Sequence, residues 1–425
     1  MNHSQNILDE LQWRGLIHQC TDLDSLKKEL ASSTVIYAGF DPTSDSLHVG
    51  SLLPLMMLRR FQQAGHRPIA LVGGATGMVG DPSGKSDERV LLSREALQHN
   101  VAGIEQQMRK FLDFEGPNAA ILVNNYDWMH SFSFLDFLRD IGKNFPVNVM
   151  LSKDSVKSRL ERQDSGLSFT EFSYMLLQAY DFVYLAKHRN CKIQIGGSDQ
   201  WGNITAGIDL GRRMLSQQLN GITCPLLTTS DGRKMGKTER GAVYLSAEKT
   251  SPFEFYQYFV RVGDADVLMT LRFLSDVPFD EYQTIEGGMR ESPGAAQRRL
   301  AESLTNLVHG EAGLNTALRA SQMLYGSEIE SLTDKDLNSI FIDVPSSSLP
   351  SEKLTEGISL IDALCAVSLV TSKSEARRAI ESGSVYINNR KADGIDRMLT
   401  KRDLASETVI VLRQGKKRYA LLRFE

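Results

Sequence analysis

The 425-residue chain is 41% hydrophobic and 24% charged, with a formal net charge of -4, the composition of a globular protein long enough for roughly two to four domains. Cys20, Cys191, Cys224 and Cys365 have no metal-ligand spacing, no apolar run approaches the ~18 residues of a membrane span, and the first residues form no basic-then-apolar leader, which argues against a disulfide framework, zinc or a membrane anchor and for the cytoplasm. The charge is uneven: from Ile358 to Glu425 thirteen Lys and Arg stand against eight Asp and Glu, a net +5 that leaves -9 elsewhere, so the basic end is either a solvated face or a surface for a polyanion.

The first 30 residues carry two helical patterns, the second over Leu23 to Leu30 with Thr21 and Asp22 as candidate N-caps. Thr34 to Phe40 is short, rich in β-branched and aromatic residues, and ended by Asp41-Pro42. From Val49, the residues Leu52, Leu53, Leu55, Met56, Leu58 and Phe61 recur at helical spacing as far as Gly65. The loop between them lies at the carboxyl edge of a strand, where α/β proteins bind ligands and helix-end amides meet phosphate. It presents His48, and Gly50 leaves room beside the backbone. An ordinary βα connection with a surface histidine would read the same way.

Arg67 to Gly73, Ala119 to Asn124 and Cys191 to Ile195 are further short apolar strands separated by helical patterns, which predicts a parallel, doubly wound sheet. The run Gly73 to Ser86 imitates a P-loop, but the first glycine that Gly84-Lys85-Ser86 would require falls on Val79. Lys85 and Arg89 are then a cationic pair that a solvated face explains as readily as a phosphate clamp. In the helical run Phe169 to His188, with Thr170 as candidate cap, Tyr174, Gln178 and Asp181 share one face among apolar neighbours. Buried polar groups need partners, so this stripe is either a satisfied core network or a ligand site.

Gln194 to Asn203 leaves a strand and opens a helix at Ser198 or Asp199, with Gly196 and Gly197 allowing close approach and Asp199 fit either to accept from ribose hydroxyls or to cap the helix. Asp231 to Thr238 is a turn with Lys234 and Lys237 three apart; it is a basic surface turn, or a source of cations for the charge that builds on departing pyrophosphate. Helical patterns continue over Pro252 to Gly263, Val267 to Leu274, Ala295 to His309 and Gly313 to Leu324, and residues 343–356 are polar and Pro/Ser-rich, as a linker is. From Gly357 a small α/β unit begins, with Asn388-Asn389 as a turn. Lys373, Arg377 and Arg378 share a side of its second helix, and Arg390, Lys391, Lys416, Lys417 and Arg418 lie downstream.

His48-Val49-Gly50-Ser51 resembles the HIGH signature of class I aminoacyl-tRNA synthetases, and Lys234-Met235-Gly236-Lys237-Thr238 resembles their KMSKS loop; Ser51 replaces the last histidine, and Gly236 and Thr238 replace the serines. Tyr37 to Gly50 and Gln194 to Asn203 are similar to the bacterial-type tyrosyl family, and the basic end resembles the RNA-binding module of ribosomal protein S-four. The resemblance implies a Rossmann-like doubly wound α/β catalytic domain over 1–248 with a dimer-forming insertion at about 126–160, an α-helical anticodon-binding domain over 249–335, a linker over 336–356 and a small α+β RNA-binding domain over 357–425.

It also implies Tyr37, Asp81, Tyr174, Gln178, Asp181 and Gln200 around tyrosine, with Thr76 assisting. Gly39, Asp41, His48, Gly50, Ser51, Lys85, Arg89, Gly197, Asp199 and Lys237 would surround ATP. Thr43, His48, Lys234, Lys237 and Thr238 would act on the phosphates, and Lys373, Arg377, Arg378, Arg390 and Lys391 would meet tRNA. The implied partners are tyrosine, ATP with its Mg2+ and no zinc, tRNA(Tyr), and a second copy of the chain held through Phe132, Phe134, Leu135, Phe137, Leu138 and Phe145, with no membrane. Three alternatives stand beside this one. Tyr37 with Asp181 speaks against a tryptophanyl synthetase, the basic end against a nucleotidyltransferase of the same superfamily, and both lysines against an RNA-binding paralogue that no longer activates an amino acid.

Overall fold

The computed structural model describes residues 6–83, 92–160, 166–239, 241–324, 329, 332–341, 344–415 and 418–425. They form two compact units, Met1–Lys249 with Val262–Val308, and Thr250–Arg261 with His309–Glu425. The stretch 249–335, expected to be a single helical domain, is divided between them.

In the first unit, β1 (Gln19–Cys20), β2 (Val35–Phe40), β3 (Arg67–Val72), β4 (Ile121–Asn124), β5 (Cys191–Gly197) and β6 (Asn220–Cys224) form one sheet in the order β1-β6-β5-β2-β3-β4. All neighbours run parallel except β1 against β6. The sheet grows outward from β2 through β3 to β4 and from β5 to β6, so the order reverses between β2 and β5. Their carboxyl ends flank the crevice where such sheets hold ligands. β1 and β6 escape the sequence pattern for a physical reason. β6 is buried throughout yet carries Asn220 and Thr223, whose side chains are satisfied by Thr21 Oγ1, at 3.0 Å, and by the Gln19 backbone.

Two helices carry the site residues. Val49–Gln63 packs Leu52, Leu53, Leu55, Met56, Met57, Leu58 and Phe61 into the core, in keeping with its apolar spacing. Phe169–Arg189 begins at Ser168 rather than at the expected Thr170, because the Ser168 Oγ accepts from the Glu171 amide at 3.2 Å from extended backbone, the geometry of an N-cap. Glu171, in its first turn, is 2% exposed and pairs with Arg159, 1% exposed, at 3.1 Å.

In the second unit, helix Pro252–Val260 starts in a capping box made by Ser251 and Glu254. A five-stranded sheet takes the order Arg390–Lys391, Val385–Ile387, Val409–Gln414, Arg418–Phe424, Ser346–Leu349. Strand alternation gives it two apolar faces: Ile410, Leu412, Ala420 and Leu422 pack with Leu360, Ala363, Leu364, Ala376 and Ile380, while Val409, Val411, Tyr419 and Leu421 pack with Ala320, Met323, Leu337 and Phe341. Ser346–Leu349 corrects the linker expected over 336–356. It pairs parallel with Arg418–Phe424, and helices Asp334–Ile340 and Glu352–Glu356 flank it. Main-chain ladder bonds supply what its serines lack in strand propensity. Asn388 and Asn389 turn the chain with φ of 49° and 65°. Lys373, Arg377, Arg378, Arg390 and Lys391 are exposed, with Lys373 paired to Asp362 at 2.7 Å. Lys416 and Lys417 lie outside the described residues.

Candidate active site

A cavity of about 560 Å³ opens at the carboxyl ends of β2 and β5. Sixteen of the residues singled out in the sequence line it: Tyr37, Gly39, Asp41, Thr43, His48, Gly50 and Ser51 from β2 and the loop and helix start after it, Asp81, then Tyr174, Gln178 and Asp181 from one helix face, Gly197, Asp199 and Gln200 after β5, and Lys234 and Lys237. Thr76 lines it as well. Thr238 does not; it sits in the hairpin next to Lys237 and donates to the Gly241 carbonyl at 3.0 Å. Lys85 and Arg89 lie outside the described residues.

The floor is polar and buried. The Asp181 carboxylate, 2% exposed, accepts from Trp128 Nε1 at 2.9 Å on one oxygen and from Asn125 Nδ2 at 3.0 Å on the other. Burial pushes its pKa up to about 7, against the opposing pull of those two donors. Tyr37, 1% exposed and tilted against Phe182, has a hydroxyl with no hydrogen-bond partner among the described residues. Its pKa is driven upward, first by burial and then by the Asp181 charge. A buried polar atom left unpaired is costly, and this one lines the cavity.

The network continues from Asn125, whose Nδ2 also reaches Thr76. Asp41 accepts from Tyr174 Oη at 2.9 Å and from Thr76 Oγ1 at 2.8 Å, and Thr76 accepts in turn from Asn125 Nδ2 at 3.0 Å. Gln200 donates to Asp81 at 2.7 Å and accepts from Gln178 and Asn203, both at 3.2 Å. Tyr174, Gln178 and Asp181 thus line the cavity and are at the same time bonded into a polar network. Asp81 and Gln200 present a carboxylate and an amide to the cavity.

At the mouth, the segment after the two lysines is stitched to the start of the 49–63 helix. The Val49 amide donates to Val243 O at 2.9 Å, Val243 to Gly236 O at 2.8 Å, and Leu245 to Leu47 O at 2.8 Å. Gly236 has φ of 84°, and a Cβ there would come within 2.7 Å of the Val49 Cβ; the position takes glycine because two backbones meet there. Gly50 corrects a smaller expectation: the space beside it holds the His48 ring itself, 2.8 Å from where a Cβ would be.

Sequence reasoning missed Asn125, Trp128 and Gln194. Gln194 is 2% exposed on β5, lines the cavity, and has an Oε1 without a partner among the described residues. An amide inside an apolar strand was its signal. Asn125 directly follows β4 at the same sheet edge, whereas nothing local marks Trp128.

This crevice, its two signature segments and the helix face between them define a class I aminoacyl-tRNA synthetase. The profile of tRNA synthetases class I (W and Y) matches residues 28–326, and that of the tyrosine-tRNA ligase SYY-like C-terminal domain matches 336–422. A tyrosine-tRNA ligase of Rhodopirellula baltica is 58% identical over 100% of this chain and 98% of its own length, and one of Roseiflexus castenholzii is 52% identical over 98% and 99%. A C-terminally truncated mitochondrial tyrosyl-tRNA synthetase of Aspergillus nidulans superposes with a TM-score of 0.68 at 33% identity, over 76% of this chain and 94% of that one. The chain belongs to the tyrosyl-tRNA synthetase family and is an aminoacyl-tRNA synthetase.

Proposed function

We propose that the cavity carries out the tyrosine-tRNA ligase reaction of this family. The carboxylate of L-tyrosine attacks the α-phosphorus of ATP in line; the bond from that phosphorus to the bridging oxygen breaks, and pyrophosphate leaves. Tyrosyl-adenylate then passes its acyl group to the 3'-terminal ribose of tRNA(Tyr), releasing AMP. The nucleophile is already ionised, so positioning and charge stabilisation supply the catalysis without a strong general base.

Tyr37 and Asp181 receive the substrate phenol. Tyr174, Gln178 and Asp81 meet its ammonium, and Gln200 its carboxylate. Gly39, Asp41, Gly50, Ser51, Gly197 and Asp199 surround adenosine, Asp199 at the ribose hydroxyls. Thr43, His48, Lys234 and Lys237, with Lys85 and Arg89, bind the phosphates as negative charge moves onto pyrophosphate, and Thr238, bonded within the hairpin, acts by holding Lys237 in place. Mg2+ enters as part of its substrate, Mg-ATP, bound by phosphate oxygens. Lys373, Arg377, Arg378, Arg390 and Lys391 hold tRNA phosphates, and the helices after Thr250 face its anticodon side. Of the expected seam, Phe134 and Leu135, 66% and 75% accessible, and Leu138 are exposed and, with Val147 and Val149, form the contact of a homodimer in the cytoplasm, whereas Phe132, Phe137 and Phe145 are half-buried and pack inward.

The observation that carries the tyrosine reading is the hydroxyl of Tyr37, without a partner among the described residues, in the same cavity as buried Asp181. Phenylalanine would leave the Tyr37 hydroxyl buried and unpaired and would offer no hydroxyl to Asp181, whose bonds from Trp128 and Asn125 remain. The test is amino-acid-dependent exchange of pyrophosphate into ATP. Exchange with tyrosine but not with phenylalanine or tryptophan, abolished in Asp181→Ala and Lys237→Ala, is the expected result; exchange with none of the three overturns the reading. Sedimentation of wild type and Leu135→Asp tests the dimer, which the variant should dissociate.

A further inference from the structure

Helix Arg94–Met108 is absent from every role described above, yet one of its faces is built against the loop that carries Thr43 and leads into His48. Asn100, Gly103 and Gln107 fall at i, i+3 and i+7, a single stripe. Asn100, 9% exposed, donates to the Pro42 carbonyl at 3.0 Å. Gln107, 8% exposed, accepts from the Leu47 amide at 2.9 Å and donates to Ser46 Oγ at 2.9 Å. Between them Gly103 lies against the loop backbone so closely that a Cβ would sit 2.2 Å from the Asp45 carbonyl oxygen. Glycine inside a helix is unfavourable by about 1 kcal/mol relative to alanine; here the close approach accounts for it.

The opposite side of the loop is held as well. Ser46 Oγ donates to Leu47 O at 2.8 Å and accepts from the Ser246 amide at 3.1 Å, one residue after Leu245 bonds to Leu47 O. The 42–47 loop is therefore clamped between the 94–108 helix and the segment that continues from the lysine hairpin, and Thr43, which is exposed toward the cavity mouth, is carried on the clamped backbone.

We infer that Asn100, Gly103 and Gln107 are positioning residues for amino-acid activation: they fix the 42–47 backbone and through it the Thr43 hydroxyl and the His48 ring at the phosphates. The inference rests on the phosphate roles assigned above to Thr43 and His48. A displacement of about 1 Å in a group that acts on the transition state costs on the order of 10²-fold in rate, while Tyr37 and Asp181, which receive the phenol, are held by Phe182, Asn125 and Trp128 and not by this helix.

The test uses the full-length protein and compares wild type, Gln107→Leu, Gln107→Glu, Asn100→Ala and Thr43→Ala. Tyrosine binding by equilibrium dialysis is measured beside single-turnover formation of tyrosyl-adenylate. Gln107→Leu is expected to keep its tyrosine Kd and to lose on the order of 10²-fold in adenylate formation. Gln107→Glu, which keeps the acceptor for the Leu47 amide, should recover part of that loss. Combined with Thr43→Ala, Gln107→Leu should cost less than it does alone, because one of the two groups it positions is gone. If Gln107→Leu no longer binds tyrosine, Asn100→Ala, which removes one donor only, is judged by the same criteria. Adenylate formation at the wild-type rate in both variants, an equal loss of tyrosine affinity and rate in both, or full additivity with Thr43→Ala would overturn the inference while leaving the ligase reading intact. A wild-type protein that forms no adenylate overturns both.

Discussion

The indole N–H of Trp128 donates to one oxygen of Asp181 at 2.9 Å, across 53 residues of sequence, and Asn125 occupies the other oxygen. Asp181 is thereby held by two donors before any substrate arrives, and the stacking of Trp128 on Tyr184, with centroids 4.3 Å apart, fixes the indole. Trp128→Phe keeps the ring packing and removes the donor. An unpaired buried acceptor costs about 1–3 kcal/mol, so urea unfolding should show a loss of that size and tyrosine should bind more weakly. Unchanged values in both measurements would mean the bond does not organise the carboxylate.

The elevated pKa of Asp181 has a definite sign for stability. An unfolded aspartate titrates near 4 and the folded one at about 7. Between these values the folded protein keeps a proton that the unfolded chain releases. The contribution is therefore complete below about pH 4 and declines by about 1.4 kcal/mol per pH unit as pH rises toward about 7. Other carboxylates add slopes of their own, so the measurement is the difference in unfolding free energy between wild type and Asp181→Asn across pH 4 to 8. That difference should shrink across this window; parallel curves would show that Asp181 ionises normally.

Gly236→Ala places a Cβ against Val49 at a backbone angle that L-residues avoid. Strain of about 1–3 kcal/mol in the seated loop is expected, read as slower adenylate formation at an unchanged tyrosine Kd. A variant with wild-type activation would show that the loop does not work in this conformation.

Arg159 and Glu171 form a buried pair at 3.1 Å, with Arg159 also donating to the Gly166 carbonyl. Removing one partner strands a buried charge and should cost about 3–5 kcal/mol, whereas replacing both by apolar residues should be close to neutral. Thermal unfolding of Arg159→Leu and of the double variant Arg159→Leu, Glu171→Met separates the cases. Equal loss in both would place the stabilisation in packing rather than in charge.

Arg377 and Arg378 stand exposed on one helix of the second unit, while Lys373 is already paired with Asp362. If the two arginines contact tRNA phosphates, the slope of log K against log salt should fall in magnitude by about 0.7–0.9 for each one replaced by alanine, and by less for Lys373→Ala. Filter-binding titrations over a range of salt measure this; slopes identical to wild type would place the tRNA elsewhere.

Regular spacing was readable from the chain where one element carries the information. Tyr174, Gln178 and Asp181 lie on one helix, so a period of 3.6 residues places them together, and β2 with its adjoining helix is marked by composition and by Asp41-Pro42. The meeting of β2, β5 and the lysine hairpin is a tertiary fact that no local pattern encodes; the motif resemblance supplied it. Ser168 and Thr170 are hydroxyls two residues apart, and only backbone geometry decides which one caps. Trp128 sits in a helix of four residues with its partner on another element, and Asn100 and Gln107 read as ordinary polar positions until the loop they clamp is seen beside them.

Residues 346–349 look dispensable in sequence, as a polar connector open to shortening or cleavage. Because they form the outer strand beside Arg418–Phe424, a cut or deletion there would strip a row of main-chain partners from that strand and leave a bare sheet edge, a template for chain-to-chain aggregation. The C-terminal module therefore begins, for any purpose of transplanting or excising it, before this serine strand and not at Gly357.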